Sequence, residues 1–497
     1  MGGVARRLTI HDPEVRHLGT GFGRDVLWLA LVPLLAALAA TIAPMSTVDL
    51  AYQVRAGELM LGSLAVLRED PFTFTAYGEP WLNQQWGAGV LFAAVHGLAG
   101  WGGLVVLRVT LVAASVGFVT LAASRWLSPR PAALLALGGF VVGIASVGLR
   151  AQLFGIVLFA AVLAILAWRD RRPRLVWLIP LLILAWANLH GSFFLGPAAV
   201  VVALLDDLLA RRAGVRPLLI VLVLSLAATC VNPFGPAVWG YTLGIAANGE
   251  ITRLITEWQR TSPLSVTGAL FYASVVAAAA LMFVARRREV LPSWPTLAWL
   301  AGLALLGAYA ERGVAWWAFG APVALAPVIA SLGAPAGVPR EDPRPLRLLN
   351  GAVVVALSLA VVVLQPLWRP ADPLTGPDGL LRDAPADLAQ ALAGLAHPSD
   401  RAVVPQPWAS WFEWAAPDRL VMVDSRIELF DEATWSAYLG IADGGPDALD
   451  TLDRIGATVV VVDPAEQSAL GITLRTPGAA WRLAYQDDDG LVFTLAE

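Results

Sequence analysis

Charged side chains are scarce in this sequence, where they make up 14% of the 497 residues. Soluble domains carry about 25%. Lysine is absent, so every cation other than a protonated histidine is an arginine. The net charge of −4 is too small to indicate nucleic acid or another strongly charged partner. These shortages argue against an ordinary soluble domain and against a nucleic acid-binding protein.

Cysteine and the common metal and nucleotide motifs are also lacking. The single cysteine, Cys230, excludes an intrachain disulfide, and its apolar sequence context predicts a small buried hydrophobic side chain. The five histidines form neither an H-x-x-H nor an HExxH pattern, which argues against a histidine metal site. The sequence has no P-loop or GxGxxG fingerprint, so nothing in it indicates a nucleotide.

Hydrophobic residues are plentiful, at 57% of the chain, and the mean hydropathy is +0.66. Repeated apolar runs of about 20 residues indicate membrane-spanning helices. Eleven such runs lie at residues 26–47, 101–124, 131–149, 152–168, 174–188, 195–210, 216–232, 264–285, 294–310, 314–333 and 347–366. The sequence therefore predicts a mainly α, polytopic membrane protein with about 11 transmembrane helices.

Arginine clusters set the predicted orientation of the spans, because cytoplasmic loops are enriched in basic residues. The clusters fall on alternate loops, at Arg6/Arg7, Arg125/Arg130, 169–174, 211–216, 286–288 and 340–347. The N-terminus is therefore expected in the cytoplasm and the C-terminus outside. No small-residue cleavage site precedes Asp49, so the first apolar helix is expected to be a retained span.

The polar segments predict three regions. Residues 1–25 form a cytoplasmic N-terminal segment, 26–367 a transmembrane domain with a long first outer loop at 48–100, and 368–497 an extracytoplasmic domain. In the loop, residues 50–61 have helical spacing and are expected along the membrane surface, and residues 86–100 are too short to span.

The C-terminal region changes to an acidic composition that is typical of a soluble domain. Short buried strands are predicted at 401–406, 419–424 and 457–463, with helices between them and a terminal hairpin across "DDG". This pattern predicts a small α/β domain with some parallel strand pairing.

Polar residues gather at the predicted outer ends of the spans. They are Asp49, Arg150, Asn188, His190, Glu257 and Arg312. Polar side chains at membrane depth are costly and usually face a cavity or a partner. We therefore expect one site that opens to the outside near the lipid head groups.

Each of these residues also has a plainer interpretation. Asp49 is consistent with a helix cap or a solvated interfacial group. Arg150 and Arg312 are consistent with snorkelling to the interface, and His190 with a hydrogen-bonded packing residue. The hypothesis of a site depends on the whole set rather than on one member.

The side chains suit a particular chemistry. Arg150, Arg312 and Arg55 can bind phosphate without losing their charge, and the Asp49 carboxylate can deprotonate a hydroxyl. Groups that can hydrogen-bond to or stack on a sugar are present at Asn83, Gln84, Gln85 and Trp86. The combination favours sugar transfer from a lipid phosphate carrier to a hydroxyl, with the arginines offsetting the charge on the leaving group.

Several stretches resemble, in their order along the chain, bacterial membrane proteins of the GT-C glycosyltransferase type. They are "VDLAYQVRAGELML" (48–61), "REDPFTFTAYGEPWLNQQW" (68–86), "WANLHGSFFLG" (186–196), "VNPFG" (231–235) followed by "ITEWQ" (255–259), and "MVDSRIELFDEATWSAYL" (422–439). The resemblance covers roughly residues 26–497. It implies a multi-span core in the bacterial cytoplasmic membrane, a large first outer loop and a C-terminal extracytoplasmic domain.

The resemblance also implies roles for some residues. Asp49 matches the acidic residue after the first span, which acts as catalytic base or, in some members, as a metal ligand. A divalent metal is therefore allowed, although no cofactor is certain. Where the family reads His-Glu-Trp, this chain reads Gln84-Gln85-Trp86, so a histidine and a carboxylate are missing. Asp70 and Glu257 are candidate second carboxylates, and "EDPF" also indicates a turn around Asp70.

We therefore predict an outer-face glycosyltransferase with Asp49 as general base and Arg55, Arg150 and Arg312 at the lipid phosphate. The predicted pocket is lined by Asn83, Gln84, Gln85, Asn188, His190 and Glu257. The partners would be a polyprenyl-phosphate-linked sugar, the lipid bilayer and a glycan, lipid or protein acceptor. In the soluble domain, Asp424 and Arg426 are expected to fix a strand-to-helix turn by pairing locally.

Two alternatives belong to other functional classes. A transporter or flippase of a lipid-linked substrate would need polar groups in the inner half of the spans and a two-fold repeat, and the sequence shows neither. A non-catalytic envelope scaffold is kept open by the departure at Gln84 and Gln85.

Overall fold

The computed structural model describes residues 23–247, 249, 256–290, 292–333, 342–369, 373–376, 378–395, 397 and 400–496. The predicted cytoplasmic segment at 1–25 lies outside the described residues, apart from residues 23–25. The arginine pair Arg6/Arg7 and the start of the 340–347 cluster lie outside them as well.

The described α-helices are numbered in chain order. They are α1 (Arg24–Ile42), α2 (Leu50–Ser63), α3 (Trp86–Ala123), α4 (Pro129–Val142), α5 (Ala151–Ala167), α6 (Ile179–Leu189), α7 (Leu195–Leu209), α8 (Val215–Thr229), α9 (Ala237–Ala247), α10 (Val266–Arg287), α11 (Trp294–Tyr309), α12 (Val314–Leu332), α13 (Arg344–Val363), α14 (Ala386–Leu395), α15 (Gln406–Ala415), α16 (Glu432–Ala442), α17 (Ala448–Ile455) and α18 (Ser468–Leu474).

The described strands are short. They are β1 (Met45–Ser46), β2 (Leu381–Arg382), β3 (Arg401–Val403), β4 (Leu420–Val421), β5 (Val459–Val462), β6 (Trp481–Gln486) and β7 (Leu491–Leu495). The chain divides into two compact units. The first contains Met1–Ile42, Val105–Val238 and Thr252–Trp368, and the second contains Ala43–Leu104, Trp239–Ile251 and Arg369–Glu497.

The apolar helices confirm the prediction of a mainly helical, multi-pass membrane protein. Among the described residues, six helices are long and apolar enough to cross a membrane, and five shorter apolar helices accompany them. Each of the eleven predicted runs coincides with one of these helices. Many of their apolar side chains are exposed on the protein surface, which suits helices that face lipid.

In the first unit, α12 is the most enclosed of the six long helices, and it packs against α4, α5 and α11. A Cβ atom at Gly139 of α4 would lie 2.3 Å from the carbonyl oxygen of Ala318 in α12. The absence of a side chain at Gly139 therefore lets the two backbones touch. Close approach at small residues is typical of helix packing in membranes.

The prediction for Cys230 is wrong, because its side chain is exposed rather than buried. Cys230 is the C-cap residue of α8, and it follows a helix whose outward face is largely exposed. In a membrane-spanning segment, an apolar sequence context is compatible with a surface position that faces lipid.

The second unit contains a five-stranded sheet with the order β4-β3-β5-β7-β6. β3 is parallel to both β4 and β5, and β7 is antiparallel to β5 and β6. These pairings confirm the predicted α/β region with a terminal hairpin. The strands are shorter than predicted because Pro405 already leads into α15 and Asp424 begins a turn after β4.

The first outer loop packs on this sheet within the second unit. The backbone amide of Phe74 donates to the carbonyl oxygen of Val421 at 2.9 Å, and the amide of Val421 donates to the carbonyl oxygen of Phe72 at 3.1 Å. The loop thus continues the sheet beyond β4. The domain boundary at 367/368 stays a prediction, and these contacts add residues 43–104 to the unit that holds the sheet.

The two helices of this loop region touch closely. A Cβ atom at Gly57 of α2 would lie 2.1 Å from the carbonyl oxygen of Gly89 in α3. Residues 50–61 are helical, as predicted, but most of the first two turns of α2 are buried inside the unit. Residues 86–100 are continuous with the next predicted span, with non-helical backbone angles at Ala99 and Gly100.

Candidate active site

The predicted site residues fall into two sets, one in each unit. The second unit holds Asp49, Arg55, Asn83, Gln84 and Gln85, and the first unit holds Arg150, Asn188, His190, Glu257 and Arg312. Each set is built by its own elements.

Asp49 is the N-cap residue of α2. Its backbone angles are φ −103° and ψ −14°, and its side chain makes no capping hydrogen bond. The half-buried carboxylate is therefore not used to cap the helix. Tyr52 lies one turn along α2, and burial raises the pKa of its phenol, with the Asp49 carboxylate adding to the rise. The Asp49 carboxylate is therefore close enough to Tyr52 to disfavour its ionised form.

The remaining residues of this set are partly engaged in packing. Gln85 accepts a hydrogen bond from Gln53 at 2.8 Å, and Arg55 forms an ion pair with Glu58 at 3.3 Å. The side chains of Asn83 and Gln84 are buried, with 5% and 2% of each residue exposed. Their burial supports a role in shaping the loop more than direct contact with a sugar.

In the first unit, two arginines and one carboxylate come together. Arg150 is the N-cap residue of α5, and its Nη1 donates to Oε1 of Glu257, which lies in the 3-10 turn Thr256–Trp258. The Cζ atom of Arg312 lies 5.6 Å from the centre of the Trp258 ring. Burial would raise the pKa of Glu257, but Arg312 and Arg150 lower it below its ordinary value.

Arg312 is positioned by Gln152 of α5. The Arg312 Nε donates to Oε1 of Gln152 at 3.3 Å, and the Gln152 Nε2 donates to the Arg312 carbonyl oxygen at 3.2 Å. Gln152 is itself buried. Two guanidinium groups therefore act on the Glu257 carboxylate, and guanidinium groups are also good donors to phosphate.

Asn188 lies in the last turn of α6, and His190 follows it as the C-cap residue before α7. Asn188 Nδ2 donates to the carbonyl oxygens of Leu184 and Val231, at 2.9 and 3.0 Å. His190 Nδ1 lies 2.7 Å from the Ser192 hydroxyl and also accepts from the Ser192 amide. Both side chains therefore hold this turn. The packing interpretation of His190 is consistent with these contacts, and its pocket role stays a prediction.

The second unit contains a buried charged cluster, of which the sequence predicted only the pair of Asp424 and Arg426. Arg426 Nε donates to Asp424 at 2.8 Å, as the predicted local pair, and Arg426 Nη2 also donates to Asp70 Oδ1 at 2.6 Å. The side chain of Arg426 is 2% exposed, and those of Asp70 and Asp424 are fully buried. Aromatic rings of Trp81, Phe72 and Tyr52 lie 4.5, 5.0 and 5.6 Å from the Arg426 Cζ.

Asp70 also supports the turn that "EDPF" predicts. Its Oδ1 accepts from the Phe72 amide and its Oδ2 from the Thr73 amide, both at 3.1 Å. The same carboxylate therefore orders the loop and pairs with Arg426, which favours a structural role over catalysis. In the sequence, the aromatic residues that follow Asp70 indicate a buried position, and a buried carboxylate requires a partner.

Metal ligands are not grouped in the part of the chain that the structure describes. Among those residues, no cluster of three or more histidine, cysteine or carboxylate side chains has a geometry that could hold a metal ion.

The overall fold is similar to those of three solved membrane glycosyltransferases. The oligosaccharyltransferase of Archaeoglobus fulgidus, tethered to an acceptor peptide, has a TM-score of 0.56 at 12% identity, over 95% of this chain and 74% of that one. ArnT of Cupriavidus metallidurans, bound to undecaprenyl phosphate, has a TM-score of 0.51 at 16% identity, over 94% and 97%. The mycobacterial arabinofuranosyltransferase AftD has a TM-score of 0.56 at 17% identity, over 95% and 41%.

No protein-family model and no curated protein matches the sequence. The structural similarities extend over nearly the whole chain at low identity, so they report on the fold. They agree with the predicted multi-span core and C-terminal domain. The chain therefore has the GT-C fold of polytopic membrane glycosyltransferases.

Proposed function

We propose that this protein is a membrane glycosyltransferase that moves a sugar from a polyprenyl-phosphate donor to an acceptor hydroxyl at the outer face of the cytoplasmic membrane. The main support is the GT-C fold, which this chain shares over nearly its full length with an ArnT structure bound to undecaprenyl phosphate. A second similar structure, the oligosaccharyltransferase, carries a tethered acceptor peptide, which supports the proposal that this protein also binds an acceptor. The acceptor here would be a glycan, a lipid or a protein.

The phosphate-binding role is assigned to Arg150 and Arg312. Guanidinium groups suit phosphate because they donate in pairs and stay charged. Glu257 pairs with Arg150 and holds it in place until the phosphate arrives. Arg312 is held by Gln152 and by the Trp258 ring. When the sugar leaves, the electron pair of the broken C–O bond stays on the phosphate oxygen, and the two arginines stabilise that charge.

The base is assigned to Asp49. The acceptor oxygen forms a bond to the anomeric carbon as the bond to the lipid phosphate breaks, and Asp49 takes the proton that the acceptor hydroxyl loses. A single displacement of this kind inverts the anomeric centre. The support from the structure is that Asp49 is half-buried at the start of α2, where its carboxylate adds to the rise in the pKa of the buried Tyr52 phenol.

The substitution Asp49→Asn tests this assignment. The asparagine keeps the shape but cannot accept the proton, so we expect transfer to fall at least about 100-fold. In the assay, protein in lipid nanodiscs is incubated with each of a panel of radiolabelled undecaprenyl-phosphate sugars, and the release of the sugar from the lipid is measured. The matched control, Glu79→Gln, removes an exposed carboxylate in the same loop and should leave the rate unchanged. Wild-type transfer by folded Asp49→Asn protein would exclude Asp49 as the base.

A further inference from the structure

The segment that leads into Asp49 is held by the C-terminal part of the chain. β1 and β2 pair in parallel, with Met45 opposite Leu381. The Met45 amide donates to the Leu380 carbonyl oxygen at 2.8 Å, and the Thr47 amide donates to the Arg382 carbonyl oxygen at 3.1 Å. These backbone hydrogen bonds join positions more than 330 residues apart in the sequence. They tie the start of α2 to the domain that contains the sheet.

Side chains strengthen the same connection. Thr47 is fully buried, and its hydroxyl donates to the carbonyl oxygen of Asp383 at 2.7 Å. The Ser46 hydroxyl donates to the Asp383 carboxylate at 2.8 Å. Asp383 has φ 61°, a left-handed conformation that aspartate tolerates better than most residues other than glycine. In this backbone conformation, the Asp383 carboxylate accepts from Ser46 and the Asp383 carbonyl oxygen accepts from Thr47.

A second contact comes from α15. The Ser410 hydroxyl donates to the backbone carbonyl oxygen of Val48, the residue before Asp49. Ser410 is completely buried. The Thr47 carbonyl oxygen in turn accepts from the amides of Leu50 and Ala51, which begins α2. The peptide units on the N-terminal side of Asp49 are therefore fixed from β2 and from α15.

We propose that the C-terminal domain positions the Asp49 carboxylate, with Ser410 and Thr47 as the positioning residues. The inference rests on the proposed function, because it takes Asp49 as the base. Hydrogen bonds from Thr47 to Asp383 and from Ser410 to Val48 order the backbone directly before Asp49. Helix ends that lack such support fray, and a base displaced by about 1 Å can lose roughly 100-fold in rate. The sheet domain thus contributes to catalysis without touching the substrate.

The test uses full-length protein in nanodiscs and the sugar-release assay. Ser410→Ala removes the donor to Val48, and we expect kcat to fall about tenfold while KM for the lipid-linked donor stays within about twofold. Ser410→Thr keeps the hydroxyl and should restore most of kcat. Thr47→Val is the second variant, should Ser410→Ala not fold. Thr451→Val removes a buried hydroxyl elsewhere in the same domain and serves as the control.

A double-mutant cycle separates positioning from general stability. In the Asp49→Asn background, Ser410→Ala should cause no further loss of the residual rate, because there is no base left to position. An equal loss in both backgrounds would overturn the inference, as would an unchanged kcat in Ser410→Ala and Thr47→Val. If Asp49→Asn abolishes transfer while both positioning variants behave as wild type, only this inference fails. If Asp49→Asn is fully active, the assignment of the base fails first.

Discussion

Two arginines of this chain show how surroundings decide what a guanidinium group can do. Arg426 is 2% exposed and lies between two carboxylates and three aromatic rings. Arg150 is 27% exposed and pairs with Glu257, which is itself partly open. Arg426 is enclosed by the protein, whereas the Arg150 side chain is partly open. A ligand can therefore reach Arg150 but not Arg426.

At this scale we predict the effect of removing the positive charges from the first unit. Arg150→Gln and Arg312→Gln should each weaken the binding of undecaprenyl phosphate about tenfold, because a charged hydrogen bond contributes about 1.5–3 kcal/mol. The measurement is titration of the nanodisc-embedded protein with undecaprenyl phosphate, followed by tryptophan fluorescence. Arg260→Gln removes an exposed arginine just after the Glu257 turn and should bind as wild type. Equal affinity for all four proteins would rule out the cluster as the phosphate site.

Single residues were predictable from the sequence where their partners are close in the chain. The pairing of Asp424 with Arg426 spans two positions and follows from the turn after a strand. The second partner, Asp70, lies 356 positions away, and no local pattern connects it to Arg426. The exposed position of Cys230 was mispredicted because an apolar sequence does not distinguish a face toward protein from a face toward lipid.

At the scale of elements, the first outer loop depends on the sheet domain for its order. The loop adds backbone hydrogen bonds beside β4, and Asp70 reaches Arg426 beneath them. The loop also has backbone hydrogen bonds of its own, such as those from the Asp70 amide to the Glu79 carbonyl oxygen at 3.0 Å and from the Trp81 amide to the Arg68 carbonyl oxygen at 2.7 Å. The buried Asp70–Arg426 ion pair thus joins the loop to the turn after β4.

We predict that Arg426→Met destabilises the second unit by about 3–5 kcal/mol, because it leaves two buried carboxylates without their cation. Urea-induced unfolding of the detergent-solubilised protein, followed by tryptophan fluorescence, measures the change. Adding Asp70→Asn and Asp424→Asn to the same chain should recover much of the loss, since neither position then carries a buried charge. Arg454→Met, at an exposed position in α17, should change stability by less than about 0.5 kcal/mol. A stable Arg426→Met protein would show that the cluster is not essential for packing.

Whole elements were predicted well where hydropathy or strand alternation decides them. The eleven apolar runs and the strands of the sheet domain all correspond to elements of the structure. Contacts between elements were harder to predict from the sequence. The burial of α2 depends on Gly57 and Gly89, whose missing side chains let two backbones meet, and spacing alone favoured a surface helix. The position of the outer loop on the sheet depends on pairings distant in sequence.

At the scale of the whole molecule, the predicted orientation can be tested with cysteine labelling. In a Cys230→Ser background, Ser436→Cys places a thiol on an exposed position of α16, and Arg172→Cys places one after α5. We expect a membrane-impermeant maleimide to label position 436 in intact cells and position 172 only after permeabilisation, because the arginine-rich loops stay in the cytoplasm. The cysteine-free protein controls for background. The reverse labelling pattern would contradict the orientation.

The pairing of Asp70 with Arg426 also has a consequence for biosynthesis. The two residues are 356 positions apart, so at about 5–20 residues per second the ribosome reaches Arg426 roughly 20–70 s after Asp70. During that interval the nascent loop carries a carboxylate and several aromatic side chains whose burial requires a partner that has not been made. The first outer loop therefore cannot reach its final packing until the C-terminal domain has been synthesised.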